Sequence, residues 1–186
     1  KDVPSSNLFT ISVGTSLNDQ THFKKFLYNK GSGTDFLGFD NGFRSLKGGI
    51  NAVLSPMNNG YDLLNNGLNN DWTVKDRRPL ADLSLNMNFS RRWVDSSGRT
   101  LAILGTVNYS NSYRTYLDMD NNLFGAYDMT HDCSNYLRKS IDDQYNHSVR
   151  IGTMLNFTYI PASGNSRYEF KNIFNQLGKD RYTYRK

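Results

Sequence analysis

The chain has 186 residues, a formal net charge of +5 and a single cysteine. That excludes an internal disulfide framework and a cysteine-based zinc site, and the length fits one domain or a piece of a larger one. Aromatic residues at 13%, together with 23 Asn, are too aromatic a mixture for disorder and suit β-structure with one wet face.

The first predicted strand, about 8–17, sets Phe9, Ile11, Val13 and Leu17 against Thr10, Ser12, Gly14 and Ser16. Such period-two alternation marks a strand with different environments on its two faces. A long connection of about 18–79 follows. Thr21–Asn29 reads as a strand extension or a helical turn. Gly31–Gly49 is a Gly/Asp/aromatic loop whose Phe and Leu side chains can pack it onto itself. In 50–72, Leu63, Leu64 and Leu68 have helix-like spacing, which Asn65-Asn66-Gly67 weakens.

The second strand, about 80–92, sets Ala81, Leu83, Leu85, Met87 and Phe89 against Asp82, Ser84, Asn86, Asn88 and Ser90. Val94–Gly98 is a short turn. The third strand, about 100–113, sets Leu101, Ile103, Val107, Tyr109 and Tyr113 against Thr106, Asn108, Ser110, Ser112 and Arg114; Ala102 and Leu104 blur its start. A second long connection covers about 115–143. The fourth strand, about 144–160, sets Tyr145, Val149, Ile151, Leu155, Phe157 and Tyr159 against Gln144, Asn146, Ser148, Arg150, Asn156 and Thr158. Pro161–Asn165 is another short turn. The fifth strand, about 166–176, sets Tyr168, Phe170 and Phe174 against Glu169, Lys171 and Asn175.

Runs of this length exceed the 5–6 residues usual for soluble strands and match the ~9–11 of a tilted membrane-spanning strand. Short and long connections alternate, as in outer-membrane barrels. The expected fold is therefore all-β: an antiparallel meander of long strands, an incomplete segment of a transmembrane β-barrel with long outside loops. Phe9, Ile11, Val13, Leu83, Leu85, Met87, Ile103, Val107, Val149, Ile151 and Leu155 are expected to face lipid. Phe89, Trp93, Tyr109, Tyr113, Tyr145, Phe157, Tyr159, Tyr168 and Phe170 fall near strand ends, where an aromatic girdle belongs. No run approaches the ~18 apolar residues of a membrane helix.

No catalytic constellation emerges, so an enzyme is not expected. His22, His131 and His147 are dispersed, and His131-Asp132-Cys133 lacks a second ligand pair at metal spacing. Asp118–Asn122 resembles the opening of a calcium loop, but Leu123 and Met129 stand where Gly and Glu are needed; a looser surface calcium site is the weaker reading. The sequons at Asn88, Asn108, Asn146 and Asn156 lie on polar strand faces and fit chance in an Asn-rich chain. No cofactor is expected. Trp72, Tyr116, Phe124 and Tyr127, aromatics of the long loops, are the candidate ligand-binding residues; packing with one polar tip satisfied is the blander reading. The basic residues are scattered apart from Arg77–Arg78, Arg91–Arg92 and the tail Lys179–Lys186, which argues against a nucleic-acid partner.

Three stretches resemble TonB-dependent outer-membrane receptors, especially those whose plug follows a carboxypeptidase-regulatory-like domain. Lys1-Asp2-Val3-Pro4 is similar to the segment just after their plug. Thr34-Asp35-Phe36-Leu37-Gly38-Phe39-Asp40-Asn41-Gly42-Phe43-Arg44-Ser45-Leu46 resembles their D-x-L-G-F-D-x-G-x-R-x-L-P loop, with Lys47 in place of the final Pro. Tyr168 to Arg185 resembles their Y-E-F-R-N-x-F-N-Q-x-G-x-x-x-Y-T-x-R strand and loop. The resemblance implies that residues 1–186 are the N-terminal part of a barrel of about 22 strands that a plug fills. That barrel needs about 220 residues for its strands alone, so the remaining wall, the plug and the TonB box belong to the rest of a longer chain. It implies energised uptake of a nutrient of the glycan, peptide, siderophore or cobalamin class in the bacterial outer membrane. The implied partners are outer-membrane lipid, the rest of the barrel and plug, the TonB complex through the missing part, and a surface lipoprotein where one exists. The alternatives are a small self-contained outer-membrane barrel acting as an adhesin or structural protein, and a soluble all-β binding module.

Overall fold

The computed structural model describes residues 3–45, 71 and 73–186. Five strands form the main sheet: β1 (Leu8–Ser16), β4 (Asp82–Val94), β5 (Thr100–Asp120), β8 (Ile141–Ile160) and β9 (Tyr168–Arg185). They pair in the order β1-β4-β5-β8-β9, each antiparallel to its neighbour. The sheet is an open meander and not a closed barrel. Two ribbons complete the fold: β2 (Phe26–Asn29) with β3 (Val74–Arg77), and β6 (Leu123–Asp128) with β7 (Cys133–Arg138).

Register turns the alternation of each strand into two continuous faces, because directly opposed residues point to the same side. Ile11 lies opposite Met87, Met87 opposite Val107, and Val107 opposite Thr153. Val13, Leu85, Tyr109 and Ile151 make the next row. On the other side Ser12, Asn86 and Asn108 line up, and Asn108 opposes Gly152. One face is thus aliphatic and aromatic, the other hydroxyl and amide.

The tight turns set one end of the sheet. Asp95 and Arg99 close the first through Asp95 N–H donating to the Arg99 carbonyl at 2.9 Å, with Gly98 at φ 81°. In the second, Gly164 at φ 68° donates its N–H to the Pro161 carbonyl at 3.0 Å. Both glycines supply the left-handed backbone such turns require. At this turn end Trp93, Leu101, Tyr159 and Tyr168 form one row across four strands.

The other end differs from the sequence expectation. Most of the second long connection is strand. β5 and β8 continue past the end of β4, with a bulge between Tyr116 and Met119 and Asp118 at φ 54°. The β6–β7 ribbon extends the same hairpin, joined by Asn121 N–H to the Ser140 carbonyl at 2.8 Å. β9 likewise runs to Arg185, where Asp142 takes both Arg185 Nε and Nη2, at 2.8 and 2.9 Å. The alternation fades there because a projecting ribbon has no apolar environment on either face.

Residues 18–45 fold back over the loop end of the apolar face. Phe26 is 1% exposed and sets its ring edge-on against Tyr113 at 5.4 Å and Tyr145 at 5.5 Å. The 3-10 turn Asp35–Leu37 and Gly38 lie on β8 and β9, with Gly38 backbone 3.0 Å from the space a Gly178 side chain would need. Three sequence assignments are corrected as a result. Val149 is 1% and Tyr145 9% exposed, and Tyr113 is half-buried beneath Phe26. These residues dock the folded-back segment and do not face lipid or an interface. The helix-like spacing in 50–72 lies outside the described residues.

Candidate functional site

The polar face carries a shallow groove of about 780 Å³. Ser12, Ser84, Asn86, Thr106, Asn108 and Ser110 floor it, and Arg150 and Asn175 reach in from the β8–β9 side. Strand alternation alone delivers these side chains to one surface. Small residues keep the floor open: Gly14 stands where Ser84 Oγ would meet any side chain, and Gly152 has no close neighbour other than Asn175 Oδ1 at 3.9 Å. Thr106 Oγ1 donates to Asn88 Oδ1 at 2.7 Å, and Arg150 Nε donates to Asn175 Oδ1 at 3.3 Å. The groove therefore sets neutral donors and acceptors and one cation beside the apolar side chains of Met154 and Ile173. It is a surface for hydroxyl- or amide-rich chemistry, held by hydrogen bonds.

The apolar face carries the complementary feature. From the Trp93–Leu101 row to the Tyr109 row the distance is about 26 Å along β5. Val107, between those rows, is 39% exposed, and Val13, in the Tyr109 row, is 67% exposed. Phe9, Ile11, Leu83, Met87 and Leu155 are exposed as well, while Leu85, Ile103 and Ile151 are part-covered by neighbours on the same face. Phe89, Trp93, Phe157, Tyr168 and Phe170 are exposed and Tyr159 half-buried towards the turn end. At the other boundary Tyr109 Oη donates to the Phe36 carbonyl at 2.8 Å.

Two polar clusters hold the folded-back segment in place. In the first, the Asp82 carboxylate accepts from Ser16 Oγ at 3.0 Å, His22 Nε2 at 3.0 Å, Tyr113 N–H at 2.9 Å and Arg114 Nη1 at 2.5 Å. His22 Nδ1 accepts the Asn18 N–H at 2.6 Å, which assigns the proton to Nε2. Both ring nitrogens are thereby spent, and Ser16 donates to Asp82 instead of His22. This Ser, Asp and His form a structural knot without the geometry of a proton relay. Beside it, Thr21 Oγ1 accepts the Thr115 N–H at 2.9 Å.

The second cluster sits inside the loop. Arg44 grips Asp35 with Nη1 at 2.8 Å and Nη2 at 2.7 Å, a forked contact, and reaches Asp40 at 3.1 Å. Arg44 and then the Ser32 N–H hold the Asp35 carboxyl below its ordinary value, against the opposing effect of burial. At the projecting hairpin, Arg185 and then Asn121 lower Asp142 to about 2.

Of the candidate ligand-binding aromatics, Trp72 lies outside the described residues. Tyr116 is exposed at the β5 bulge. Phe124 stacks at a tilt on Tyr136 at 4.8 Å in the β6–β7 ribbon, and Tyr127 Oη bonds Asp132 beside it. Among the described residues no ring contact joins Tyr116 to Phe124 or Tyr127. The three histidines are separate: His22 in the Asp82 knot, His131 on Asp128, and His147 stacked on Tyr113 at 4.4 Å. Among the described residues no group of three His, Cys, Asp or Glu is placed to hold a metal. Sequence reasoning did not pick out Phe26, Arg77 or the Asp82 knot. Asp35 and Arg44 were present in the quoted loop motif, where opposite charges nine residues apart in a Gly-rich loop were the available signal.

No family model, curated protein or solved structure matches this chain.

Proposed function

We propose that the chain is part of the wall of an outer-membrane transporter of the TonB-dependent kind, serving energised nutrient uptake. The observation that carries this reading is the division of one long-stranded sheet into an exposed apolar band and an opposite polar groove. A soluble sheet would need a second layer over Phe9, Ile11, Val13 and Met87, and among the described residues all four are exposed. A membrane wall turns that band to lipid and the groove inward. The row Trp93–Leu101–Tyr159–Tyr168 supports a periplasmic girdle, and the short turns at the same end suit the periplasmic side. In this role the groove lines the lumen, where neutral hydroxyls and amides contact the plug or a passing polar solute. The outer segment 18–45 and the β5–β8 hairpin stand on the external side.

An immunoblot of outer-membrane fractions from the source cells, raised against the Gly31–Ser45 loop, tests this. A band several-fold larger than the 21.3 kDa chain is expected. An outer-membrane band near 21 kDa would replace the transporter by a small self-contained barrel. A soluble band would overturn the membrane reading.

A further inference from the structure

The β2–β3 ribbon places four residues on one side. Phe26 lies opposite Arg77 and Tyr28 opposite Lys75, so two rings and two cations share that face. The Arg77 guanidinium sits 4.6 Å from the Tyr28 ring centre, 4.8 Å from Tyr113 and 5.7 Å from Phe26. Ring faces hold a cation but leave its in-plane N–H donors unspent. Among the described residues no carboxylate or carbonyl takes them, and Nε is buried without a partner. Arg44, Arg114 and Arg185 each have an aspartate instead.

This guanidinium borders a pocket of about 270 Å³. Lys30, Lys75, Tyr113, His147 and Asp180 also line it. Asp35, on the same wall, is committed to Arg44 and Lys30 to Asp71. Lys75 and Arg77 remain as cations, and Asp180 as an acceptor for hydroxyl groups. A Cβ on Gly33, which also lines the pocket, would meet none of the described residues within 4 Å.

We infer that Arg77, with Lys75, is the centre of an oxyanion site for a phosphate group flanked by sugar hydroxyls. The planar fork of arginine, preorganised by three rings, matches two phosphate oxygens. Tyr28, one face of which holds Arg77, lines the same pocket where the sugar would lie. The pocket opens at the loop end of the apolar face, just beyond Tyr109. Under the proposed membrane role, on which only the source of the ligand rests, that is headgroup level, and a phosphoglycolipid of the surrounding leaflet supplies the phosphate. A dissolved sugar phosphate has the same chemistry.

The test uses the natural full-length protein, as wild type, Arg77→Gln, Arg77→Lys and Lys75→Gln. Calorimetric titration with glucose 1-phosphate is expected to weaken about tenfold or more in Arg77→Gln, with Arg77→Lys between and glucose itself not binding. Lys75→Gln leaves the ring stack intact and is expected to weaken binding severalfold, so it and Arg77→Lys decide the matter if Arg77→Gln does not fold. In a second arm, protein from nanodiscs of a phosphoglycolipid or its dephosphorylated form is examined by native mass spectrometry. Retention of the phosphorylated lipid by wild type and its loss in the variants supports the headgroup source. Binding of glucose 1-phosphate without lipid retention supports the site with a dissolved ligand. Equal behaviour of wild type and variants in both arms overturns the site, even where fractionation upholds the membrane role. Arg77-dependent binding by a soluble protein upholds the site and overturns that role.

Discussion

The ring of Phe89 occupies the space that a side chain at Gly105 would fill. The two are directly opposed in the β4–β5 register. An aromatic ring laid over a strand glycine covers the backbone that glycine leaves bare, and here it does so near the turn end of the apolar band. Gly105→Ala is expected to force the ring off and destabilise by about 1–3 kcal/mol. Urea titration of the folded protein reads this. Combining it with Phe89→Ala is expected to cost less than the sum of the single changes; simple additivity would mean that the two residues do not share that space.

Asp82 is expected to be the most sensitive polar residue of the loop end. Asp82→Ala strands His22 and frees Arg114, a loss of about 3 kcal/mol for a covered pair that loses one partner. Because Ser16, His22 and Tyr113 all donate to this carboxylate, the change should also release residues 18–45. Limited proteolysis at Lys24 and Lys25 measures the release. Unchanged cleavage would show that Phe26 docks the segment without the knot.

Acid should loosen the Gly31–Ser45 loop in a defined direction. The folded state holds the Asp35 carboxyl below the ordinary value of an aspartate, so its contribution is fully present above that ordinary value and is lost as pH falls through the depressed one. Amide exchange at Ser32, whose N–H donates to Asp35, is expected to stay flat from neutral pH to about pH 4, after correction for intrinsic exchange, and to rise below it. Asp35→Asn should remove the acid step and lower protection at neutral pH by a modest amount, about 1 kcal/mol or less for a half-exposed pair. An acid step that persists in Asp35→Asn would assign it to another carboxylate.

Charge placed on the two faces should have opposite consequences. Under the proposed membrane role, Val107→Arg, in the middle of the apolar band, is expected to cost about 2–4 kcal/mol in a bilayer, and Trp93→Arg at its edge about 0–1. Asn86→Arg, in the polar groove, should cost little. Urea titrations in the same lipid compare them. A greater cost for Asn86→Arg than for Val107→Arg would reverse the assignment of the faces.

The five long strands were legible because each has one environment per face, so Ile11, Met87 and Val107 alternate cleanly with Ser12, Asn86 and Asn108. The β6–β7 ribbon was not legible. Tyr116 and Leu117 sit together at the bulge, and a ribbon exposed on both faces has no reason to alternate. Val149, Tyr113 and Tyr145 were misplaced for a different reason: their partners Phe26 and Gly38 are more than eighty residues away in sequence. Alternation encodes which face a side chain is on and says nothing of what later lies over it. The Arg77 pocket depends on the same distant contacts.

The Gln176 Nε2 bond to the Gly38 carbonyl, at 2.8 Å, spans 138 positions of the chain. Phe39 stacks on Phe174 at 5.9 Å across a similar gap. Adjacent strands β4, β5, β8 and β9 can zip through local turns, but the Gly31–Ser45 loop has no seat until β8 and β9 lie side by side. Contacts of such separation form late. Docking of this early-made segment is therefore a completion signal: its protease resistance would appear last during folding, and a sheet stalled after β5 would betray itself by an unshielded Phe26.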